Sequence, residues 1–384
     1  MEKLPQNYRE IPKHMKMMRL MASLWQKPAY AVNRLVAKCT SHISVNAFGK
    51  GAPYVGLSFL KHPAEAKSDG FILTARTEKE LEVWISDGGF ALQESLGEIL
   101  SLRRQLLAAG GLSAEENNPK YKLEVTYLVS HFHIDHMNEG IYYILPSPFI
   151  HVKRVYYPHI SVYAQDTDHN EMCNGDKGIR PRFMISQKTY QPLAEMIELP
   201  FNDCRTVPFG EGSITLMMPD ADWGLPEYRA LIWKFYDHEH MTEEKRRQAM
   251  PVQVVNSNCI LARIDYASRS MLLTGDAMKK SFEYDDEPFD RLLTQYGDQL
   301  RADIVKYPHH GQARNPAWKA VRDQMLIPSE DAMVVLTGHD GYNQAGKYLS
   351  ENNVPWMDLR EGTLTFTITK DGKIHRRQGD ISLL

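Results

Sequence analysis

Two apolar rhythms alternate along this chain from residue 43 onward, one of strand type and one of helix type. ISVNAF and YVGLSFL read as strands around the turn GKGAP, and FILTA with LEVWI reads as a hairpin ending in SDGG. LQESLGEILSLRRQLLAAGG has apolar residues at helical spacing and a glycine stop. LEVTYLV is a strand, NEGIYYIL a helix that Pro146 ends, and VKRVYYP another strand. Residues 158–200 break the rhythm: Asp166, Asp168, Asn170, Asn174, Gly175 and Gly178 crowd one polar, loop-like stretch. SITLMMP is then a strand, and PEYRALIWKFYDHEHMTEEKRRQ a charged helical segment.

The regular order resumes after residue 258. CILARIDY and SMLLTG pair as strands, and FDRLLTQYGDQL is a helix. ADIVKY, PAWKAVRDQML, AMVVLTG and YNQAGKYLSEN continue as strand, helix, strand and helix, and GTLTFTITKDGKI closes with a strand and turn. Such alternation predicts α/β sheets covered by helices. No repeat and no Pro/Gly/Ser-rich linker divides the chain. The expected organisation is therefore one domain over 41–384, with insertions near 146–205 and 223–250, behind a basic helical extension over 1–40.

Composition changes this picture little. The 384 residues are 43% hydrophobic and 24% charged, as in ordinary globular chains. A net charge of −3 gives no global reason to expect nucleic acid. Cys39, Cys173, Cys204 and Cys259 stand far apart with no CxxC pair, which fits a reducing compartment and a cytoplasmic protein. No apolar run reaches the length of a membrane span. Residues 1–40 carry eight Lys or Arg against two Glu, so this extension, like the middle insertion, is a candidate partner contact.

The chemistry gathers at strand ends. SHFHIDH, Ser130 to His136, places three histidines and an aspartate directly after LEVTYLV. Imidazole and carboxylate donors suit Zn first, with Mn or Fe(II) as alternatives. His131 and His133 leave an extended segment on one face, whereas Asp135 and His136 come after the chain bends. Two adjacent ions are the natural arrangement; a polar turn without metal is the plainer alternative. Three more strands end in ligand-type residues: WISDGG at Asp87, LLTGDAM at Asp276, and DIVKYPHHGQ at His309 and His310. Each alone is ordinary turn chemistry. Their combination in one chain is not.

HFHIDH resembles the HxHxDH signature of the metallo-β-lactamase fold superfamily. The ordered set FGKGAPYVGLSF, WISDGG, SHFHIDH, NSNCILARIDY, LLTGDAM and DIVKYPHHGQ is more closely similar to the soluble hydrolase domain of ComEC-type competence proteins. This resemblance implies a four-layer αβ/βα sandwich and a centre for two divalent ions. It implies His131 and His133 on the first ion, Asp135 and His136 on the second, and Asp276 bridging them. One of His309 and His310 would complete the second site, with His309 favoured because it follows the strand directly. Asp87 would hold the histidine loop by hydrogen bonds. The superfamily's further histidine on the first ion has no counterpart here: His151, His159 and His169 come too early, and His238 and His240 too late. The membrane channel of the competence proteins is absent as well.

The implied activity is hydrolysis of a phosphodiester, in nucleic acid or a nucleotide, by an ion-bridging hydroxide oriented by Asp135. Lys306, Asn256, Asn258 and His339 are candidate contacts to the substrate. Hydrolysis of a lactone, thioester or β-lactam is the alternative within enzymes, and a non-catalytic metal-binding interaction protein the alternative outside them.

Overall fold

Strands stand where apolar and polar residues alternate or where a short apolar run lies between turn residues. The computed structural model describes residues 42–61, 69–89, 94–158, 179–219, 256, 259–277, 292–311, 317–338 and 345–381. The first sheet opens with β1 (Ile43–Ser44), β2 (Tyr54–Phe59), β3 (Gly70–Arg76) and β4 (Leu81–Asp87). It continues through β5 (Tyr121–Leu128), β6 (Ile150–Pro158) and β7 (Glu195–Leu199). The second sheet holds β8 (Cys204–Phe209), β9 (Gly212–Met217), β10 (Leu261–Tyr266), β11 (Arg269–Leu273), β12 (Ile304–Lys306), β13 (Met333–Leu336) and β14 (Trp356–Asp358). The chain then returns to the first sheet with β15 (Leu364–Thr369) and β16 (Ile374–Gln378), β15 pairing β2.

Both sheets share one plan. In the first, β2, β3 and β4 run antiparallel and β4 to β7 run parallel. In the second, β8 to β11 run antiparallel and β11 to β14 parallel. β4 and β11 are therefore equivalent junction strands, and β5 and β12 are the parallel strands that follow them.

Three apolar cores separate four layers. Val55, Leu57, Leu73, Trp84 and Tyr156 of the first sheet meet Ile214, Leu216, Ile264 and Met271 of the second. Trp84 and Tyr156 stack there with ring centroids 5.3 Å apart. On the outer face of the first sheet, Val83, Ile85, Val125 and Val155 pack against helices α1 (Glu94–Ala109) and α2 (Ile134–Glu139) and the α3 helix (Ile179–Tyr190). On the outer face of the second, Leu272, Val305 and Val334 pack against α4 (Trp318–Ala320), α5 (Ala345–Glu351) and Leu292 and Tyr296. The fold is an α/β, four-layer αβ/βα sandwich consistent with the metallo-β-lactamase type, as expected. No described helix is long and apolar enough to cross a membrane.

Three local expectations change. ISVNAF is a strand only over Ile43–Ser44, because the Asn46 side chain then takes over the pairing: it donates to Leu81 O and Glu124 O and accepts from Glu124 N. The stretch 158–200 contains α3 and β7; β7 is a sheet edge with half-exposed or exposed residues, including Glu195 and Glu198, so its alternation is weak. The helix expected from Asn138 begins at Ile134. The N-terminal extension and the 223–250 insertion lie outside the described residues.

Candidate metal centre

The two junctions present their strand ends to one another. From the first sheet, β4 ends at Asp87 in left-handed backbone (φ 59°), a conformation aspartate tolerates better than bulkier residues. Gly88 and Gly89 follow, also at positive φ, and Gly89 exchanges backbone hydrogen bonds with α2 through His136 O and Glu139 N. β5 runs into Ser130, His131 and His133, and the first turn of α2 carries Asp135 and His136. From the second sheet, β11 turns at Gly275 (φ 53°) into Asp276. β12 runs into His309 and His310, both left-handed (φ 51° and 58°), before Gly311. Two successive non-glycine residues in that region cost about 1–2 kcal/mol each. The turn is held by His309 N to Gly275 O and Gly338 N to His310 O.

One atom lies at the middle. Asp276 Oδ2 is 3.2 Å from His310 Nε2, 3.3 Å from His136 Nε2, 3.8 Å from His309 Nε2 and 3.9 Å from His131 Nε2. Two groups of donor atoms, each within 4.8 Å, share this carboxylate: His131, His133 and Asp276, and Asp69, His136, Asp276 and His310. Asp135 adds its Oδ2 at 3.6 Å from His310 Nε2.

The backs of the rings are held by other carboxylates. Asp87 accepts from Ser130 N at 2.8 Å, from Ser130 Oγ at 2.6 Å and from His136 Nδ1 at 2.9 Å. With its proton committed to Asp87, Ser130 Oγ accepts from His131 Nδ1 at 2.9 Å. Asp69 accepts from His310 Nδ1 at 3.1 Å. In a neutral imidazole, a hydrogen on Nδ1 leaves the lone pair on Nε2. Asp87 and Asp69 thus aim three Nε2 lone pairs at the space around Asp276. The Nε2 atoms of His136 and His310 are buried and make no aligned hydrogen bond there. The donor set fits borderline divalent cations.

Electrostatics agrees with that fit. Among the described residues around the centre, four buried carboxylates (Asp69, Asp87, Asp135, Asp276) face one buried ammonium, Lys306. Burial pushes the Asp276 carboxyl up, but the His310, His136, His309 and Lys306 charges outweigh it and hold the group well below the usual range. Burial, with the charges of His136 and His133, keeps His131 well below the usual imidazole range and hence neutral, its ligating form. Burial lowers His310 too, yet Asp276 and Asp69 prevail and raise it to about 10. Without a cation, this ring carries part of the positive charge that the carboxylates demand.

The structure brings His131, His133, Asp135, His136, Asp276, His309 and His310 together, with Asp87 behind them. It reverses the order of the HHG pair. His310 is the nearer ring, at 3.2 Å against 3.8 Å for His309, and Asp69 anchors it from behind. Lys306, expected at the substrate, is fully buried beneath the carboxylates. Its Nζ reaches Gly275 O at 2.6 Å, Asp69 Oδ2 at 2.5 Å and Asp276 Oδ1 at 3.5 Å. Asn256 is fully buried, and Asn258 and His339 lie outside the described residues. Asp69 went unread because Asp-Gly before a strand looks like an ordinary turn. Its burial at 0% exposure is a tertiary fact.

No protein-family model and no curated protein matches this chain. Among solved structures, unliganded yeast PDE1 is similar over 82% of this chain and 99% of its own, at 11% identity and a TM-score of 0.42. The MIM-2 metallo-β-lactamase is similar over 82% and 93%, at 14% identity and a TM-score of 0.31. A long form of RNase Z from yeast is similar over 86% and 50%, at 7% identity and a TM-score of 0.35. All three are metallo-β-lactamase fold proteins.

Proposed function

We propose that this chain is a metal-dependent hydrolase with a two-ion centre, zinc first and Mn or Fe(II) as alternatives, acting on a phosphodiester of a nucleotide or nucleic acid. The observation that carries the two-ion centre is the position of Asp276 Oδ2, within 3.9 Å of Nε2 atoms from four histidines and shared by both donor groups. His131, His133 and Asp276 would hold one ion; Asp135, His136, Asp276 and His310 the other. Bound there, the ions supply a nucleophile at neutral pH and stabilise the charge that develops on the scissile group. The phosphodiester preference rests on the resemblance of the ordered motifs to ComEC-type domains, and cytoplasmic placement on the scattered cysteines.

The chain's own groups set the geometry. Asp135, buried beside His310 with its Oδ2 3.6 Å from that ring's Nε2, would accept a hydrogen bond from the attacking water and orient it. Lys306 neutralises Asp69 from below and adds to the histidine charges that keep Asp276 ionised with Oδ2 facing the rings. Asp87 and Asp69 keep the Nδ1 protons in place. His309, farther from Asp276 than its neighbour His310, would face the substrate. Asn258 and His339 are proposed substrate contacts, the latter because it follows Gly338, whose N–H bonds His310 O.

The test is metal content by mass spectrometry, with turnover of bis(p-nitrophenyl) phosphate and of a simple lactone. Expected are two ions per chain at the Asp276 centre, lost in Asp276→Ala, and phosphodiester turnover that falls at least ~100-fold in His131→Ala and Asp276→Ala. Lactone turnover alone moves the reading to the other bond class. A chain that takes up no ion under any loading refutes it.

A further inference from the structure

Away from this centre, three strands of the first sheet bring a second set of donors together. Glu124 lies on β5, and His151 is its direct partner across the parallel ladder on β6. His42 precedes β1, which pairs with the beginning of β5 on the other side. The arrangement follows from register, since a side chain of each neighbouring strand projects over the middle one. Glu124 stands seven residues before His131, roughly 20 Å along an extended strand, so the two clusters are separate.

The contacts are close. His42 Nε2 is 2.9 Å from Glu124 Oε1, and the His42 and His151 rings are 4.2 Å apart, tilted at 49°. One donor atom from each of the three residues lies within 4.8 Å of the other two. All three are half-buried, which leaves room for solvent. Burial raises the Glu124 carboxyl, but the His42 hydrogen bond and the Lys153 charge outweigh it and keep the group ionised. Burial and the His42 charge push His151 down to about 4, so at neutral pH its ring is uncharged. A simple ion pair between His42 and Glu124 has no use for a second imidazole against it.

We propose that His42, Glu124 and His151 form a further metal site, taking one divalent ion of zinc type with water completing the shell. Two imidazoles and a carboxylate are the donor types zinc prefers when a coordination position stays open to solvent. β1 is two residues long and joined to β5 by two ladder pairs, Ile43 with Tyr121 and Ser44 with Lys122. An ion on all three side chains cross-links β1, β5 and β6 at that weak edge. The site is a staple, and it does not depend on the function of the centre around Asp276. Lys153, 3.7 Å from Glu124 Oε2, is a competing cation.

The experiment is zinc binding to the full chain by equilibrium dialysis and elemental analysis, in the wild type and in a background carrying Asp276→Ala. In that background one zinc per chain is expected to remain, and to be lost or bound at least ~10-fold more weakly on adding His151→Asn. Glu124→Gln, which keeps a hydrogen-bond acceptor for His42, is expected to weaken the same ion, and Lys153→Gln to tighten it. Zinc is also expected to raise the melting temperature of Asp276→Ala but not of Asp276→Ala/His151→Asn. Identical zinc stoichiometry and affinity with and without His151→Asn and Glu124→Gln overturns the proposal.

Discussion

The His310 ring is held from both ends, its Nδ1 3.1 Å from Asp69 and its Nε2 3.2 Å from Asp276. Asp69 also takes Lys306 Nζ at 2.5 Å, so one residue that is absent from every motif fixes a ring and a counter-charge together. Asp69→Asn preserves shape but removes the charge, and its effect is expected on the ion next to His310. Zinc affinity should fall ~10–100-fold, measured by chelator competition, while the fold survives. Unchanged affinity would show that Asp69 only fills space. Tyr307 is one of several buried acids, with Tyr127 and Cys259, that contribute to the alkaline limit. Tyr307 is buried, and burial raises its phenol above the usual value near 10. The unfolded chain therefore releases this proton first as pH rises. Stability from this group is intact below about pH 10 and declines above it. Urea midpoints between pH 9 and 11 should drop, and Tyr307→Phe should make that drop shallower. An equal slope in both proteins would contradict the assignment.

Helix α2 passes into a wider turn directly after the histidine motif, with Leu145 N bonded to Gly140 O. Tyr127 of β5 reaches under this turn and donates to Asp87 O. A Cβ on Gly140 would run into the Tyr127 hydroxyl. Gly140→Ala is therefore expected to destabilise by ~1–3 kcal/mol. Adding Tyr127→Phe removes the obstructing oxygen, so the double variant should be less destabilised than the sum of the two single variants in urea unfolding. Strict additivity would mean the contact does not decide the packing. The elements themselves were largely legible, since β2 to β6 and β9 to β13 alternate or run apolar between turn residues. β7 and β8 were not, because the edge of a sheet tolerates polar residues on both faces.

The donors come from both halves of the sandwich. His131, His133, Asp135 and His136 follow β5 in the first sheet; Asp276 and His310 follow β11 and β12 in the second. Ions bound between them would tie the sheets together at one end, and binding to the folded state alone would stabilise it. Chelation of the loaded protein should lower its melting temperature by several degrees, with an apparent loss of ~3 kcal/mol at a hundredfold ligand excess. Zinc should restore it, and Asp276→Ala/His151→Asn, which lacks a ligand at each cluster, should be insensitive to both treatments. A wild type whose melting point ignores chelator would argue against ions bridging the sheets.

The residue types of the centre, their order along the chain and their placement at strand ends follow from the sequence by itself, because strand alternation and a histidine-rich turn are local patterns. Which histidine of the HHG turn faces Asp276 depends on two left-handed residues that no spacing announces. That Lys306 lies beneath the carboxylates, and that Asp69 grips a ring 241 positions away, was decided only when the two sheets closed on each other. Burial turns an aspartate in an ordinary turn into an anchor, since a charge removed from water must find its partner wherever the fold provides one.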